Sequence, residues 1–172
     1  MSILYEKFKN MKVDTSWVGL AKEEDYGYFC TPVGADIIGW DNGIHYCLLE
    51  GLDEMVFAVN PDTCCDEYVY PLAKSFADFI GLVLACKGTN PLQQIILWDK
   101  QHYLDFMADP NEVEYAKSPE VATALSALQE TLGIAPMAAP FEYVKAVQQD
   151  FDYRNIVFSD EYYDATGRER PE

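Results

Sequence analysis

Residues Gly34–Gly88 read GADIIGWDNGIHYCLLEGLDEMVFAVNPDTCCDEYVYPLAKSFADFIGLVLACKG, three strand-like runs joined by tight turns and closed by an apolar helix. Asn42-Gly43 is the sharpest local signal, because both residues tolerate the positive φ of a type I′ turn, whose twist suits a β-hairpin. Strands are expected on either side, at about Ala35 to Trp40 and Ile44 to Leu49. Alternation puts Ile44, Tyr46 and Leu48 on one face and His45, Cys47 and Leu49 on the other. Both faces are apolar, which marks a central strand covered on at least one side. A third run, Met55 to Asn60, ends at Pro61, and Asp66 to Tyr70 adds a short edge strand before Pro71. Ser75 then reads as the N-cap of a helix from about Phe76 to Lys87, with Asp78 near the capping-box position and Gly88 as a left-handed stop. Phe76, Phe79, Ile80, Val83 and Leu84 form one stripe of that helix, and a stripe so wide requires a sheet face to bury it.

Outward from this unit, Ser2 to Met11 reads as a short amphipathic helix with Ile3, Leu4 and Phe8 inward, and Trp17 as a plug at the edge of the core. Tyr26 to Cys30 reads as loop or edge strand. After Gly88, Asn90-Pro91 opens a helix that buries Leu92, Ile95 and Ile96, with Trp98 at its end. Asp99 to Met107 forms another, and Asp109-Pro110-Asn111 is a break. A helix from Ser118-Pro119-Glu120 stops at Gly133, Phe141 to Gln149 is helical, and Asn155 to Phe158 reads as a late strand. The polar residues 159–172 are expected to fray.

A chain of 172 residues with 49% hydrophobic residues is expected to be one folded domain with a sizeable core. It has no apolar run long enough to span a membrane, and its first residues lack the apolar segment of an export signal, so a cytoplasmic location is expected. The cysteines, Cys30, Cys47, Cys64, Cys65 and Cys86, are odd in number and contain no Cys-x-x-Cys, which points to reduced thiols.

Charge is the second strong signal. The formal net charge is −17, and from Glu23 to Ala73 there is no Lys or Arg. The acids of that stretch are Glu23, Glu24, Asp25, Asp36, Asp41, Glu50, Asp53, Glu54, Asp62, Asp66 and Glu67. Many fall at strand ends and turns and are expected to gather along one rim of the sheet. Such a field repels nucleic acid and anionic membrane and attracts basic proteins. A merely solubilising surface is the competing reading of the same charge. Asp36, Asp41, Glu50, Asp53, Glu54, Asp62, Asp66 and Glu67 are the candidate partner-binding residues.

No catalytic or metal-binding motif stands out, and no cofactor is expected. His45 and Cys47 share a strand face at a separation long for a direct hydrogen bond, so a core histidine is the favoured reading and a nucleophilic pair the alternative. His102, Asp99 and Asp105 lack a metal-ligand spacing on one helical face. Asp62, Asp66 and Glu67 lack the ligand order and central glycine of a calcium loop.

The central unit, in the segments GADIIGWDNGIHYCLLEG, MVFAVNP and YVYPLAKSFADFIGLVLACKG, resembles the SUKH superfamily, the group of the yeast cell-wall synthesis regulators and many bacterial immunity proteins. The resemblance covers about residues 34–98. It is carried by Gly39-Trp40, by the strand ending in Asn60-Pro61, and by the helix entry Pro71, Ser75-Phe76 and Phe79. It implies an α+β domain, a mainly antiparallel curved sheet with helices on one side. Here a helical extension at about 109–158 and the tail 159–172 follow it. It further implies a non-enzymatic protein that binds and neutralises a basic, nuclease-like toxin or, alternatively, an intracellular regulator or scaffold. Either would act as a monomer or weak homodimer.

Overall fold

The computed structural model describes residues 3–22, 27–63 and 67–171. Four antiparallel strands, β1 (Ala35–Asp41), β2 (Ile44–Leu49), β3 (Val56–Val59) and β4 (Val69–Ala73), lie in the order β1-β2-β3-β4. Together with the eight α-helices among the described residues they make an α+β fold. The first hairpin turns at Asn42 and Gly43, both with positive φ, as a type I′ turn requires. β4 runs through Pro71, which an edge strand tolerates because its amide faces away from the ladder.

One sheet face carries Tyr46, Leu48, Val56, Ala58, Tyr70 and Leu72 into the main core. It packs against α2 (Phe76–Cys86), whose Phe79 ring lies 5.5 Å from that of Tyr46. Ser75 Oγ accepts from the Asp78 amide and caps this helix. At its other end Lys87, not Gly88, takes the left-handed conformation.

The remaining helices extend this layer. α1 (Ile3–Lys9) turns Tyr5 and Phe8 onto Phe76, leaving Ile3 exposed instead of inward. α3 (Asn90–Leu97) buries Leu92, Ile95 and Ile96, while Trp98 beyond it is exposed and stacked on His102 of α4 (Lys100–Met107). The Asp109-Pro110-Asn111 break is itself a helix start, with Asp109 capping α5 (Pro110–Tyr115). α6 (Pro119–Leu132) and α7 (Pro140–Asp150) bring Val121, Ala124, Leu128, Leu132 and Val144 into the same core as the sheet. The segment read as an extension is thus part of the layer that covers the sheet.

The second sheet face is covered as well. Cys47, Leu49, Phe57, Val59 and Val69 form a second buried cluster with Cys30, Ile156 and Tyr162. The expected late strand at 155–158 is irregular; it follows a 3-10 turn at Tyr153–Asn155, and Val157 C=O accepts from the Val33 amide. The tail does not fray through residues 160–166. It forms α8 (Asp160–Thr166), and Tyr162 is only 1% exposed, stacked on Phe158 at 3.8 Å. Its polar composition hides these two aromatic anchors, although they stand four residues apart.

Both sheet edges are blunted. α7 packs along β4. On the β1 side, Trp40 exchanges backbone hydrogen bonds of 2.9 and 3.0 Å with Ala21. A bulge between Ile37 and Gly39 shifts the β1 register, so that Ile37 opposes Cys47 and Trp40 opposes His45 on one face while Ile38 enters the main core. Among the described residues no helix is long and apolar enough to cross a membrane.

Candidate protein-binding surface

Antiparallel pairing sends successive connections to opposite ends of a sheet, and this divides the acidic residues. Asp36, opposite Leu48, lies at the end that holds the β2–β3 connection with Glu50, Asp53 and Glu54. Asp41, Asp62 and Glu67 lie at the other end, beside the β1–β2 turn and in the β3–β4 connection. The single acidic rim expected from sequence is therefore two clusters. Asp66 and the run Glu23, Glu24 and Asp25 lie outside the described residues, as do Cys64 and Cys65.

The acids also differ in what they already bind. Asp36 Oδ1 accepts from the Tyr5 hydroxyl at 3.0 Å. Asp41 Oδ2 accepts from Thr89 Oγ1 at 2.7 Å and from Gln93 Nε2 at 3.0 Å, and the same Gln93 nitrogen lies 3.1 Å from the buried Tyr46 hydroxyl. Glu67 pairs with Arg168 of the tail at 3.3 Å. Glu50, Asp53, Glu54 and Asp62 have no ion pair among the described residues. Lys9, Lys74, Lys100, Arg154 and Arg170 are engaged by Glu6, Asp150, Glu142, Asp152, and Asp160 with Asp164.

The β2–β3 connection presents its carboxylates from a tight loop. Gly51 and Asp53 both adopt positive φ, and Glu50 and Asp53 are exposed. The Glu50 amide donates to Gly34 C=O, fixing the loop against the start of β1. Three like charges within five residues then lie at one sheet end, and among the described residues none of them enters an ion pair.

His45 is fully buried; its ring packs 4.6 Å from Trp40 and 5.6 Å from Tyr28, and Nε2 lies 3.4 Å from Thr31 Oγ1. Burial, reinforced by the charge of Asp36, pushes the Cys47 thiol far up, so it stays protonated and offers no thiolate to His45. Burial also raises Cys30 to about 11. Among the described residues no group of three or more His, Cys, Asp or Glu converges as a metal site. Tyr162 of α8 is buried against the second sheet face and offers no exposed ring for binding.

Sequence reading missed a second feature beside Asp41. Trp17, expected at the core edge, is 40% exposed and, with Val113 and Tyr115, lines a cleft of about 720 Å3. Its outer wall is α5, which has no apolar stripe and buries none of its residues, so periodicity could not reveal it. Comparison of the chain with protein-family models, curated proteins and solved structures found no match in any of the three.

Proposed function

We propose that this chain is a non-enzymatic acidic protein-binding module, an immunity protein of the SUKH kind that acts in the cytoplasm by binding and neutralising a basic, nuclease-like toxin. The observation that carries the reading is the β2–β3 connection, where Glu50, Asp53 and Glu54 enter no ion pair among the described residues, in a chain of net charge −17. A nuclease is basic where it grips phosphate, and an acidic surface of this kind both attracts and masks that region. The resemblance of residues 34–98 to the SUKH superfamily supports the same reading.

The test replaces the cluster by amides, as E50Q/D53N/E54Q, and measures association with a basic nuclease domain that the native protein binds. Steered association between exposed charges slows as salt rises. The variant is expected to associate at least about tenfold more slowly at low salt, and to lose most of the salt dependence. Unchanged rate and affinity would exclude the acidic cluster as the binding determinant.

A further inference from the structure

At the sheet end that carries the β1–β2 turn, a pocket of about 180 Å3 opens between β2, β3 and α3, with Ile44, Ala58 and Ile96 as apolar lining. Asn60, just past β3, Gln93 and Gln94 of α3, and Trp98, just past α3, also line it. Among the described residues no Lys, Arg, His, Asp or Glu does so, in a chain of which 24% is charged. An occupant is therefore selected by shape and hydrogen bonding, not by charge. Trp98 is 47% exposed, and its ring stacks on His102 at 4.8 Å, which holds the indole in place where the pocket meets solvent.

The hydrogen bonds around the pocket settle which end of each side-chain amide is already engaged. Asn60 Oδ1 accepts from the Asp62 amide at 3.0 Å, which leaves the Asn60 NH2 as a donor. Gln93 Nε2 donates to Asp41 at 3.0 Å and lies 3.1 Å from the Tyr46 hydroxyl, which leaves Oε1 as an acceptor. Gln94 Oε1 lies 3.2 Å from His102 Nε2, which leaves the Gln94 NH2 as a second donor. None of these three remaining groups has a hydrogen-bond partner among the described residues. Two donors and one acceptor beside an apolar lining call for an apolar body with one polar tip that both accepts and donates. A phenol meets that description, and its ring finds an aromatic neighbour in Trp98. A phenyl ring would leave the amides unpaired, and a sugar would lay hydroxyls against Ile44, Ala58 and Ile96. The volume suits a single ring; sites for drug-sized ligands run to about 300–1,000 Å3.

We propose that this pocket receives the phenol ring of a tyrosine side chain from the protein partner, its hydroxyl among the remaining amide groups of Asn60, Gln93 and Gln94 and its ring against Trp98. The proposal rests on the protein-binding reading and adds an uncharged anchor to it. The two contacts play different parts: the exposed Glu50, Asp53 and Glu54 carboxylates accelerate encounter, and the filled pocket slows release.

The test is an NMR titration of the full chain with N-acetyltyrosinamide and with N-acetylphenylalaninamide, which differ by the hydroxyl alone. The tyrosine probe is expected to give saturable shifts at the Trp98 indole N–H and at the side-chain NH2 groups of Asn60, Gln93 and Gln94, and to bind about tenfold or more tighter than the phenylalanine probe. Trp98→Ala, at an exposed position, is expected to weaken both probes. Gln94→Met, which keeps the length of the side chain and removes its NH2, is expected to weaken the tyrosine probe alone and so to narrow the preference. Equal affinity for the two probes, saturable shifts only at other residues, an absence of shifts up to the solubility limit of the tyrosine probe, or a preference that Gln94→Met leaves unchanged would each overturn the proposal. The titration contains no protein partner, so its failure is separate from that of the functional reading. If the pocket fails while E50Q/D53N/E54Q still abolishes salt-sensitive association with a basic domain, the functional reading stands without the pocket. If the pocket binds and the triple variant associates as the natural chain does, the acidic cluster fails and the pocket stands.

Discussion

Asp41 shows how a single side chain ties three parts of the chain together. From the end of β1 it accepts hydrogen bonds from Thr89 and Gln93 at the start of α3, and Gln93 also reaches Tyr46 on β2. Glu112, which shares its cleft, is held at a cost. Burial, Asp109 and Asp41 raise its carboxyl, so the fold favours the protonated form. A raised carboxyl contributes its full stability below the unfolded-state pKa of about 4.3 and loses it as pH rises through the higher folded value. Glu112→Gln, which mimics the protonated form, is therefore expected to raise the melting temperature at pH 7 and to leave it unchanged near pH 4. A lower melting temperature at pH 7 would mean that the carboxylate has a favourable partner. At this scale the acids themselves were plain in the sequence. Their partners were not, because Thr89 and Gln93 lie 48 and 52 residues from Asp41, and no spacing rule spans that distance.

Among the elements, β1 depends on a residue without a side chain. A Cβ at Gly39 would lie 2.8 Å from Leu20 Cα, where the segment that follows the 3-10 turn crosses to pair with Trp40. Backbone on both sides leaves little room to yield. Gly39→Ala is expected to cost about 1–3 kcal/mol in urea denaturation, and an unchanged midpoint would show that the strand edge shifts freely. Local rules gave the Asn42-Gly43 turn, the alternation of β2, the Ser75 and Ser118 caps and the Gly133 stop, since each depends on neighbours in the chain. The bulge between Ile37 and Gly39 was not legible, because it answers to Ala21 and the paired strand and not to β1 itself. The α2 terminus was off by one residue: Lys87 takes the left-handed position, and Gly88 follows at φ 149°.

For the whole molecule, the decisive feature is the covering of the second sheet face by residues 151–168. Phe151 meets Phe57 at 5.2 Å, Tyr162 stacks on Phe158, and Arg168 donates to the Tyr162 hydroxyl at 2.8 Å while pairing with Glu67. The sequence suggests a late strand at 155–158 and a fraying tail at 159–172, because the polar residues around Phe158 and Tyr162 conceal these anchors. Tyr162→Ala is expected to cost about 3 kcal/mol. Deleting 151–172 should also create dye-binding apolar surface over Cys47, Phe57 and Val69; a truncated chain as stable as the whole would contradict this role for the tail. Net charge acts at the same scale, since a formal charge of −17 sets a long-range negative field around the molecule. Capture of proteins from the native host lysate at low and at high salt, by the natural chain and by E50Q/D53N/E54Q side by side, tests the central claim most directly. The account predicts one basic, nuclease-like protein, recovered at low salt by the natural chain alone. A partner held equally by both chains and at both salt concentrations would contradict it.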